Sequence, residues 1–149
     1  MSNKLPAEFT TSHNFRGALP SAEDLVSIDL IGEGRPVRIV STRRTPMTVA
    51  MASKILSLTP VPGDRGLRDN GVTTHMANMQ NGTFLYENHV IASCFCLENR
   101  LDYRINGQHT SWSVYYLDRQ GIKIDHRPST VIAYEADTLA AVRTLYGLL

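Results

Sequence analysis

The stretch LDYRINGQHTSWSVYYL, Leu101–Leu117, decides the fold that the sequence predicts. Its centre is Asn106-Gly107, a dipeptide that tolerates the positive φ angles of a two-residue hairpin turn. Apolar and polar residues alternate on both sides of this dipeptide, which is typical of half-buried strands. The stretch therefore predicts two antiparallel strands, Leu101–Ile105 and His109–Leu117, joined by a type I′ turn.

The predicted hairpin has one apolar face and one polar face, because side chains alternate across a strand. The apolar face collects Leu101, Tyr103, Ile105, Trp112, Val114 and Tyr116. The polar face collects Asp102, Arg104, His109, Ser111, Ser113 and Tyr115. We therefore expect Trp112 to be buried beside Leu101 and Tyr103, with Arg104 and His109 on the opposite face.

The rest of the chain supplies further predicted strands and two helices. The predicted strands are Leu25–Ile31, Val37–Ser41, Thr83–Tyr86, Val90–Leu97, Ile122–Asp125 and Thr130–Tyr134. Thr45-Pro46 is a good helix start, and the apolar spacing after it predicts a helix over Pro46–Ser57. A second helical spacing covers Ala136–Leu148. The expected fold is α+β: a mainly antiparallel meander sheet with an N-terminal hairpin, one helix after it and a C-terminal helix packed on the sheet.

Length and composition predict one folded domain over residues 1–149. The chain has 149 residues, of which 42% are apolar and 19% are charged, a balance that favours a buried core over disorder. We expect an irregular arm over 1–22 and a long loop over 60–81 that is rich in Gly and Pro and that a short helix around Thr74–Met79 could interrupt. The sequence has no apolar run of membrane-spanning length and its start does not resemble a secretory signal, so we expect a cytoplasmic protein without membrane contact.

Positive charge is concentrated in the first half of the chain. Between Gly34 and Arg68 seven basic residues face one acid, Asp64, which gives this stretch a charge of +6 within a chain of net charge +1. Arginine can hold phosphate or carboxylate through two hydrogen bonds. We therefore predict a surface that binds an anionic partner, either nucleic acid or an acidic protein surface, through Arg35, Arg38, Arg43, Arg44, Arg65 and Arg68. Arg43 and Arg44 are of special interest because they precede the predicted helix start, where free amides attract anions.

No familiar catalytic, metal or cofactor motif is present. Cys94 and Cys96 could share one side of a strand, but zinc needs four ligands and no second pair lies at suitable spacing, so we expect reduced, buried cysteines, no metal and no cofactor. The candidates for catalysis are His109, Arg104 and Tyr115, which the predicted hairpin would place on one polar face. A small hydrolase or transferase therefore stays open beside a non-catalytic binding domain.

A third hypothesis is self-assembly. The strand-to-helix passage over Thr130–Leu148 resembles the corresponding passage near the end of single-stranded RNA bacteriophage coat proteins, over about twenty residues. An early hairpin followed by a meander is also similar to that family, whereas the predicted helix Pro46–Ser57 departs from it. The resemblance implies a coat or scaffold subunit, and with it a possible homo-oligomer.

Overall fold

A computed structural model describes residues 30–149, which form one five-stranded sheet, four α-helices and a short 3-10 helix, Tyr86–Asn88. The strands are β1 (Val37–Pro46), β2 (Thr59–Pro60), β3 (Ile91–Cys96), β4 (Leu101–Asn106) and β5 (Pro128–Ala136). The helices are α1 (Val49–Leu56), α2 (Asp69–Asn81), α3 (Gln108–Arg119) and α4 (Leu139–Leu148). The predicted arm over 1–22 lies outside the described residues.

The sheet is mixed, so the predicted antiparallel meander is wrong. The strand order is β1-β5-β3-β4-β2. β1 pairs antiparallel with β5, and β3 pairs antiparallel with β4, but β5 runs parallel to β3 and β2 runs parallel to β4. Parallel neighbours cannot be joined by a tight turn, because the chain must cross back over the sheet. Here β4 and α3 lie between β3 and β5 in the chain and make that return.

The largest correction falls on Leu101–Leu117. β4 ends at Asn106, Gly107 has φ +109° as the residue before α3, and Gln108–Arg119 is helical instead of forming a strand. Of the two residues predicted to have positive φ, only Gly107 does so, and it precedes a helix; Asn106 is the last residue of β4. The buried residues of α3 include Thr110, Val114 and Leu117, and their spacing of four and three residues matches one helix face. The apolar and polar residues of this segment also fit a spacing of two, which is why the sequence predicted a strand there.

The predicted faces of the hairpin are consequently wrong as well. Trp112 lies half-buried on α3, where its ring stacks on Tyr116 with 4.9 Å between ring centroids. Leu101, the residue that should share its face, is 43% exposed at the start of β4. Tyr103 and Ile105 are buried by their own strand. The indole therefore does not belong to the sheet.

The first helix begins later than predicted. Thr45 and Pro46 pair with Ser129 and Pro128 as the last residues of β1, and Thr48 accepts the hydrogen bond from the amide of Met51 that caps α1. Arg43 and Arg44 therefore lie in a strand and not at a helix N-terminus. The predicted hairpin before β1 is not seen in its described part: Ile31 makes only an isolated parallel bridge with Val37, and β1 pairs with β5. The rest of Leu25–Ile31, up to residue 29, lies outside the described residues.

Two predicted strands are irregular segments, and the predicted long loop contains a helix. Thr83–Tyr86 leads into the 3-10 helix, and Ile122–Asp125 connects α3 to β5. The segment 60–81 includes α2, which begins at Asp69. No helix within residues 30–149 has both the length and the apolar character needed to cross a membrane.

The resemblance to phage coat proteins rested in part on an early hairpin followed by a meander. Because the sheet is mixed, that part of the resemblance is lost.

Two hydrophobic cores pack on opposite faces of the sheet, because neighbouring strand residues point to opposite sides. One core lies between α4 and the sheet and contains Val37, Cys94, Cys96, Tyr103, Ile105, Tyr134, Val142 and Leu145. The other lies under α1 and α3 and contains Met47, Ala52, Ile55, Phe84, Ile91, Val114, Leu117 and Val131. Both cysteines are fully buried thiols, and burial raises the pKa of Cys94 to about 12. The Cys94 thiol is therefore not ionised at neutral pH.

Candidate functional site

A cleft of about 730 Å³ lies where the N-termini of α2 and α3 meet the segment before β3. Each of these three elements contributes a short run of polar residues to its walls. The runs are Arg68–Gly71, Asn88–Val90 and Asn106–Thr110, joined by His75 from the second turn of α2. A smaller recess shares the wall from Asn106 to His109, so the two form one continuous depression.

The N-terminus of α3 presents its amides to this cleft. The first amides of a helix have no partner inside the helix. Gly107, which precedes α3, has no side chain to cap them, and no other side chain within residues 30–149 does so. A side chain at Gly107 is also excluded by space, because its Cβ would lie 2.6 Å from Cδ1 of Ile91. The amides of Gln108, His109 and Thr110 are therefore available to a ligand.

The N-terminus of α2 has the same character. Arg68 precedes this helix in an extended conformation, and the helix start has no side-chain cap among the described residues. The guanidinium of Arg68 makes no hydrogen bond or ion pair within residues 30–149. Asp69 occupies the first turn, where a negative charge suits the helix dipole. Two helix N-termini without side-chain caps thus meet at one cleft.

His109 joins the two helices. Its Nε2 accepts a hydrogen bond from the backbone amide of Arg68 at 3.0 Å. The imidazole lies against Gly71, where an added Cβ would come within 2.6 Å of its Cδ2. A glycine inside a helix costs roughly 0.5 to 1 kcal/mol relative to alanine. Here the His109 ring takes the space that an alanine side chain would need, which explains why a glycine stands at this position. Because Nε2 accepts a hydrogen bond, the ring is neutral and carries its proton on Nδ1.

Two more histidines stand beside it. The ring of His75 lies 4.8 Å from that of His89 and 6.4 Å from that of His109, and His89 stacks on Phe84 with 4.5 Å between centroids. Burial, with the charges of its two histidine neighbours, lowers the pKa of His75 to about 4. Burial also lowers the pKa of His89, and burial together with the Arg68 charge lowers that of His109. All three rings are neutral at pH 7.

Thr110 adds a hydroxyl to the wall of the cleft. It lines the cleft at 2% exposure, and its hydroxyl makes no hydrogen bond with any residue from 30 to 149. Within residues 30–149 the one fully buried side-chain oxygen without a hydrogen-bond partner is that of Ser111, so the Thr110 hydroxyl is not sealed from the solvent in the cleft. A hydroxyl at a cleft wall beside free amides is a donor poised for a ligand.

The adjoining recess is built around Asp64, which holds the segment before α2 in place. Its carboxylate accepts hydrogen bonds from the amide of Gly66 and the hydroxyl of Tyr146, and Arg104 lies 3.4 Å from its other oxygen. Burial alone would raise the pKa of Asp64, but these partners outweigh it and lower that pKa. The guanidinium of Arg65 lies 4.3 Å from the ring centre of Tyr146. This network fixes the segment that ends at Arg68.

Comparisons with protein families, with curated proteins and with solved structures found no match to this chain. Within the described part of the chain, no group of three or more His, Cys, Asp or Glu side chains is arranged to hold a metal ion. Nε2 of His109 is already used by the amide of Arg68, so the three cleft histidines do not converge as ligands.

The predicted anion-binding arginines are divided between two regions of the molecule. Arg65 and Arg68 lie at the depression. Arg38 bonds to Glu135 at 3.0 Å and to Asp137 at 2.8 Å, so its charge is balanced. Arg43 and Arg44 are exposed on β1, opposite Val131 and Thr130. Arg35 lies exposed in the turn before β1.

The predicted catalytic candidates are also separated. Arg104 and His109 line the smaller recess together, but Arg104 is engaged with Asp64 and with the carbonyl of Leu56. Tyr115 lies two turns along α3, where its hydroxyl accepts a hydrogen bond from Arg119 at 2.7 Å. It lines neither part of the depression. The polar strand face that would have grouped the three does not exist.

The sequence interpretation missed most of the cleft. His75, His89, Gly71 and Thr110 carried no motif, because their spacing in the chain is irregular. One signal was available in Thr110, Val114 and Leu117, which follow Gly107. Small or apolar residues spaced four and three positions apart predict a helix. A glycine before that helix leaves its first amides without a side-chain cap. The strand interpretation of the same letters concealed it.

Proposed function

We propose that this domain binds a phosphate-bearing partner, nucleic acid, in the cleft between the N-termini of α2 and α3. The observation that carries the proposal is the meeting at one cleft of two helix N-termini that no side chain of residues 30–149 caps. Each helix start offers free amides and the positive end of a dipole worth roughly half an elementary charge. Of the six arginines predicted to bind an anion, the proposal assigns contact with the ligand to Arg68.

The side chains of the cleft support binding in place of catalysis. Arg68 offers a fork of donors that suits phosphate oxygens. The hydroxyl of Thr110 adds a donor, and Asn106 is engaged in holding the wall, since its amide group donates to the carbonyl of Val90 at 2.9 Å. The three histidines are neutral at pH 7. Arg68 and Thr110 can donate to an anion, and within residues 30–149 none of these side chains is hydrogen-bonded to a nucleophile.

Phosphate fits this cleft better than the carboxylates of an acidic protein surface. A carboxylate is planar with two acceptor oxygens, whereas a phosphate directs its oxygens tetrahedrally. The cleft surrounds its ligand with donors from two helices that belong to different parts of the chain. A concave site of this volume admits a phosphate with the group that carries it, while an acidic protein surface would meet only its rim.

The test compares two arginines that differ in their place in the fold. Titration with a short single-stranded oligonucleotide, followed by calorimetry and by amide NMR, should show binding with shifts at Gln108, His109 and Thr110. Arg68→Ala should weaken that binding about tenfold or more, because a hydrogen bond to a charged group contributes about 1.5 to 3 kcal/mol. Arg43→Ala, an exposed arginine outside the cleft, is the matched control and should bind like the wild type.

Three results would contradict the proposal. The first is an absence of amide shifts at the start of α3 at saturating oligonucleotide. The second is equal loss of affinity in Arg68→Ala and Arg43→Ala, which would indicate general charge attraction. The third is stronger binding of poly-glutamate than of an oligonucleotide of the same charge, which would favour an acidic protein as partner.

A further inference from the structure

We propose that the cleft recognises a terminal phosphate, and that it binds this dianion together with one proton taken up by His109. This inference rests on the proposed function, since it assumes that the cleft is a phosphate site. It adds the class of ligand, a phosphomonoester such as the phosphorylated end of a strand. It also assigns to His109 the role of choosing between ligands of different charge.

The donors of the cleft outnumber the acceptors of an internal phosphodiester. Three amides of α3, the hydroxyl of Thr110, the guanidinium of Arg68 and the imidazole of His109 all border the same space. An internal phosphodiester has two unesterified oxygens, whereas a terminal phosphate offers three strong acceptor oxygens. A buried donor left without a partner costs free energy. The set therefore matches a terminal phosphate.

The fixed charge of the cleft falls short of what a dianion needs. Arg68 is positive and Asp69 is negative, and both line the cleft. Their charges offset each other, so the two helix dipoles leave about one positive charge between them. Since a terminal phosphate carries about −1.5 to −2 at neutral pH, one more positive charge would complete the match. A histidine can supply it near neutral pH.

His109 is the histidine placed to take up this proton. It occupies the first turn of α3, so an anion held by the α3 amides lies directly beside its ring. An opposite charge within roughly 4 to 6 Å favours the charged form of a titrating group. His75 is less suited, because its pKa near 4 lies far below neutrality. His89 is covered on one side by the ring of Phe84.

Protonation of His109 has a defined structural consequence. Nε2 of the neutral ring accepts the amide of Arg68, and a protonated ring has no acceptor. Taking up the proton therefore breaks this hydrogen bond and releases the Arg68 amide at the start of α2. That amide becomes a further donor for the phosphate. Ligand binding, proton uptake and the release of the α2 N-terminus are thus one coupled event.

Burial and the charge of Arg68 lower the pKa of His109 before a ligand arrives. The charged and titratable groups that line the cleft with His109 are Arg68, Asp69 and His75 at the start of α2 and His89 before β3. Those that line the smaller recess with it are Asp64, Arg65, Arg104 and Tyr146. Asp64 is already engaged with Arg104, so its charge is not available to a protonated imidazole. Only an added anion changes this balance.

The experiment uses sulfate, which is a dianion throughout the pH range of 5 to 8 and does not titrate itself. Calorimetry in buffers of different ionisation enthalpy should show close to one proton taken up for each sulfate bound at pH 7. Affinity should then fall about tenfold for each pH unit above the pKa of the unliganded ring, because one proton is linked to binding. Methyl sulfate, a monoanion, should bind more weakly and take up less than one proton.

His109→Gln is the decisive variant, because the glutamine oxygen can accept the Arg68 amide but cannot take up a proton near neutral pH. It should bind sulfate with an affinity that does not change between pH 6 and 8. His126→Gln removes a histidine outside the cleft, one whose Nδ1 lies 2.8 Å from the carbonyl oxygen of Met47. This matched control should retain the pH dependence of the wild type.

Outcomes separate this inference from the proposed function. If the wild type binds neither sulfate nor an oligonucleotide at any pH, the proposed function itself fails. If it binds sulfate without proton uptake, or if His109→Gln keeps the same pH dependence, the inference is overturned while the anion site stands. NMR of the wild-type imidazoles gives a second readout that needs no variant: sulfate should raise the pKa of His109, and an unchanged His109 pKa would overturn the inference.

Discussion

The four helices differ in how their first amides are satisfied. Thr48 caps α1, and Thr138 caps α4 through the amide of Ala141, while the amide of Leu139 also donates to Glu98. α2 and α3 have no side-chain cap within the described residues, and both start at the cleft. Capped and uncapped starts therefore divide by location.

The two uncapped helix starts are places where the fold lacks the stability that a side-chain cap would add. A threonine cap contributes about 1 kcal/mol, so its absence from two helices is a cost that packing elsewhere offsets. Uncapped amides at a cleft can instead bind a ligand. The comparison therefore makes separate predictions for the two classes. Loss of the cap at α1 or α4 should affect stability alone, whereas changes to the groups of α2 and α3 that contact the ligand should affect binding, whatever they do to stability.

The largest expected effect is that of Gly107→Ala. The new Cβ would lie 2.6 Å from Cδ1 of Ile91, and alanine would also have to adopt φ +109°. Strain of this kind costs about 1 to 3 kcal/mol before the clash is counted, so we expect a loss of about 3 kcal/mol in the free energy of unfolding, measured with urea. Gly121→Ala is the control, since φ is +74° there but nothing lies within 4 Å; an equal loss at both positions would show that space at Ile91 does not matter.

Thr110→Val should separate binding from stability at an uncapped helix. Valine has the same shape as threonine, and the Thr110 hydroxyl has no partner among the described residues. We expect the free energy of unfolding to stay within about 0.5 kcal/mol or to rise. Affinity for the oligonucleotide or for sulfate should fall about tenfold, as calorimetry would show. Unchanged affinity would mean that this hydroxyl does not contact the ligand.

Thr138→Ala should have the opposite signature at a capped helix. The amide of Ala141 loses its acceptor, which now lies 3.1 Å away, and the free energy of unfolding should fall by about 1 kcal/mol. Affinity for the ligand should not change, because α4 starts away from the cleft. Thr48→Ala is the parallel variant on α1. A loss of affinity in either would contradict the division of the helices into two classes.

The smallest expected effect concerns acid. The folded state lowers the pKa of His75 to about 4 from its ordinary value of 6.5, so between these values the unfolded chain binds a proton that the folded chain does not. Stability from this group is therefore complete above pH 6.5 and is lost as the pH falls towards 4. His75→Phe, which keeps a ring beside Phe84, should make the free energy of unfolding less dependent on pH in that window. An unchanged slope would assign the acid sensitivity to other groups.

After β3, the sequence predicts where most of the strands and helices lie, but it does not predict that α3 is a helix. The segments β3, β4, β5 and α4 lie within a few residues of the predicted strands and helix, because each has one strong periodicity. His109–Leu117 has two, since its apolar and small residues fit spacings of two and of three to four. Gly107 needs a positive φ in a hairpin turn and before a helix alike, so it could not decide between them.

The sequence by itself determined the α+β class, the positions of its strongly periodic segments, the buried cysteines and the excess of positive charge before Arg68. Only the tertiary structure decided that β5 lies between β1 and β3, and that Gln108–Arg119 is a helix, because packing against Ile91, α1 and α2 favours that form. The tertiary structure also decided which residues line the cleft. Arg68 and His109 are 41 residues apart in the chain, and no local pattern records a contact that exists only once two helix N-termini have been brought together.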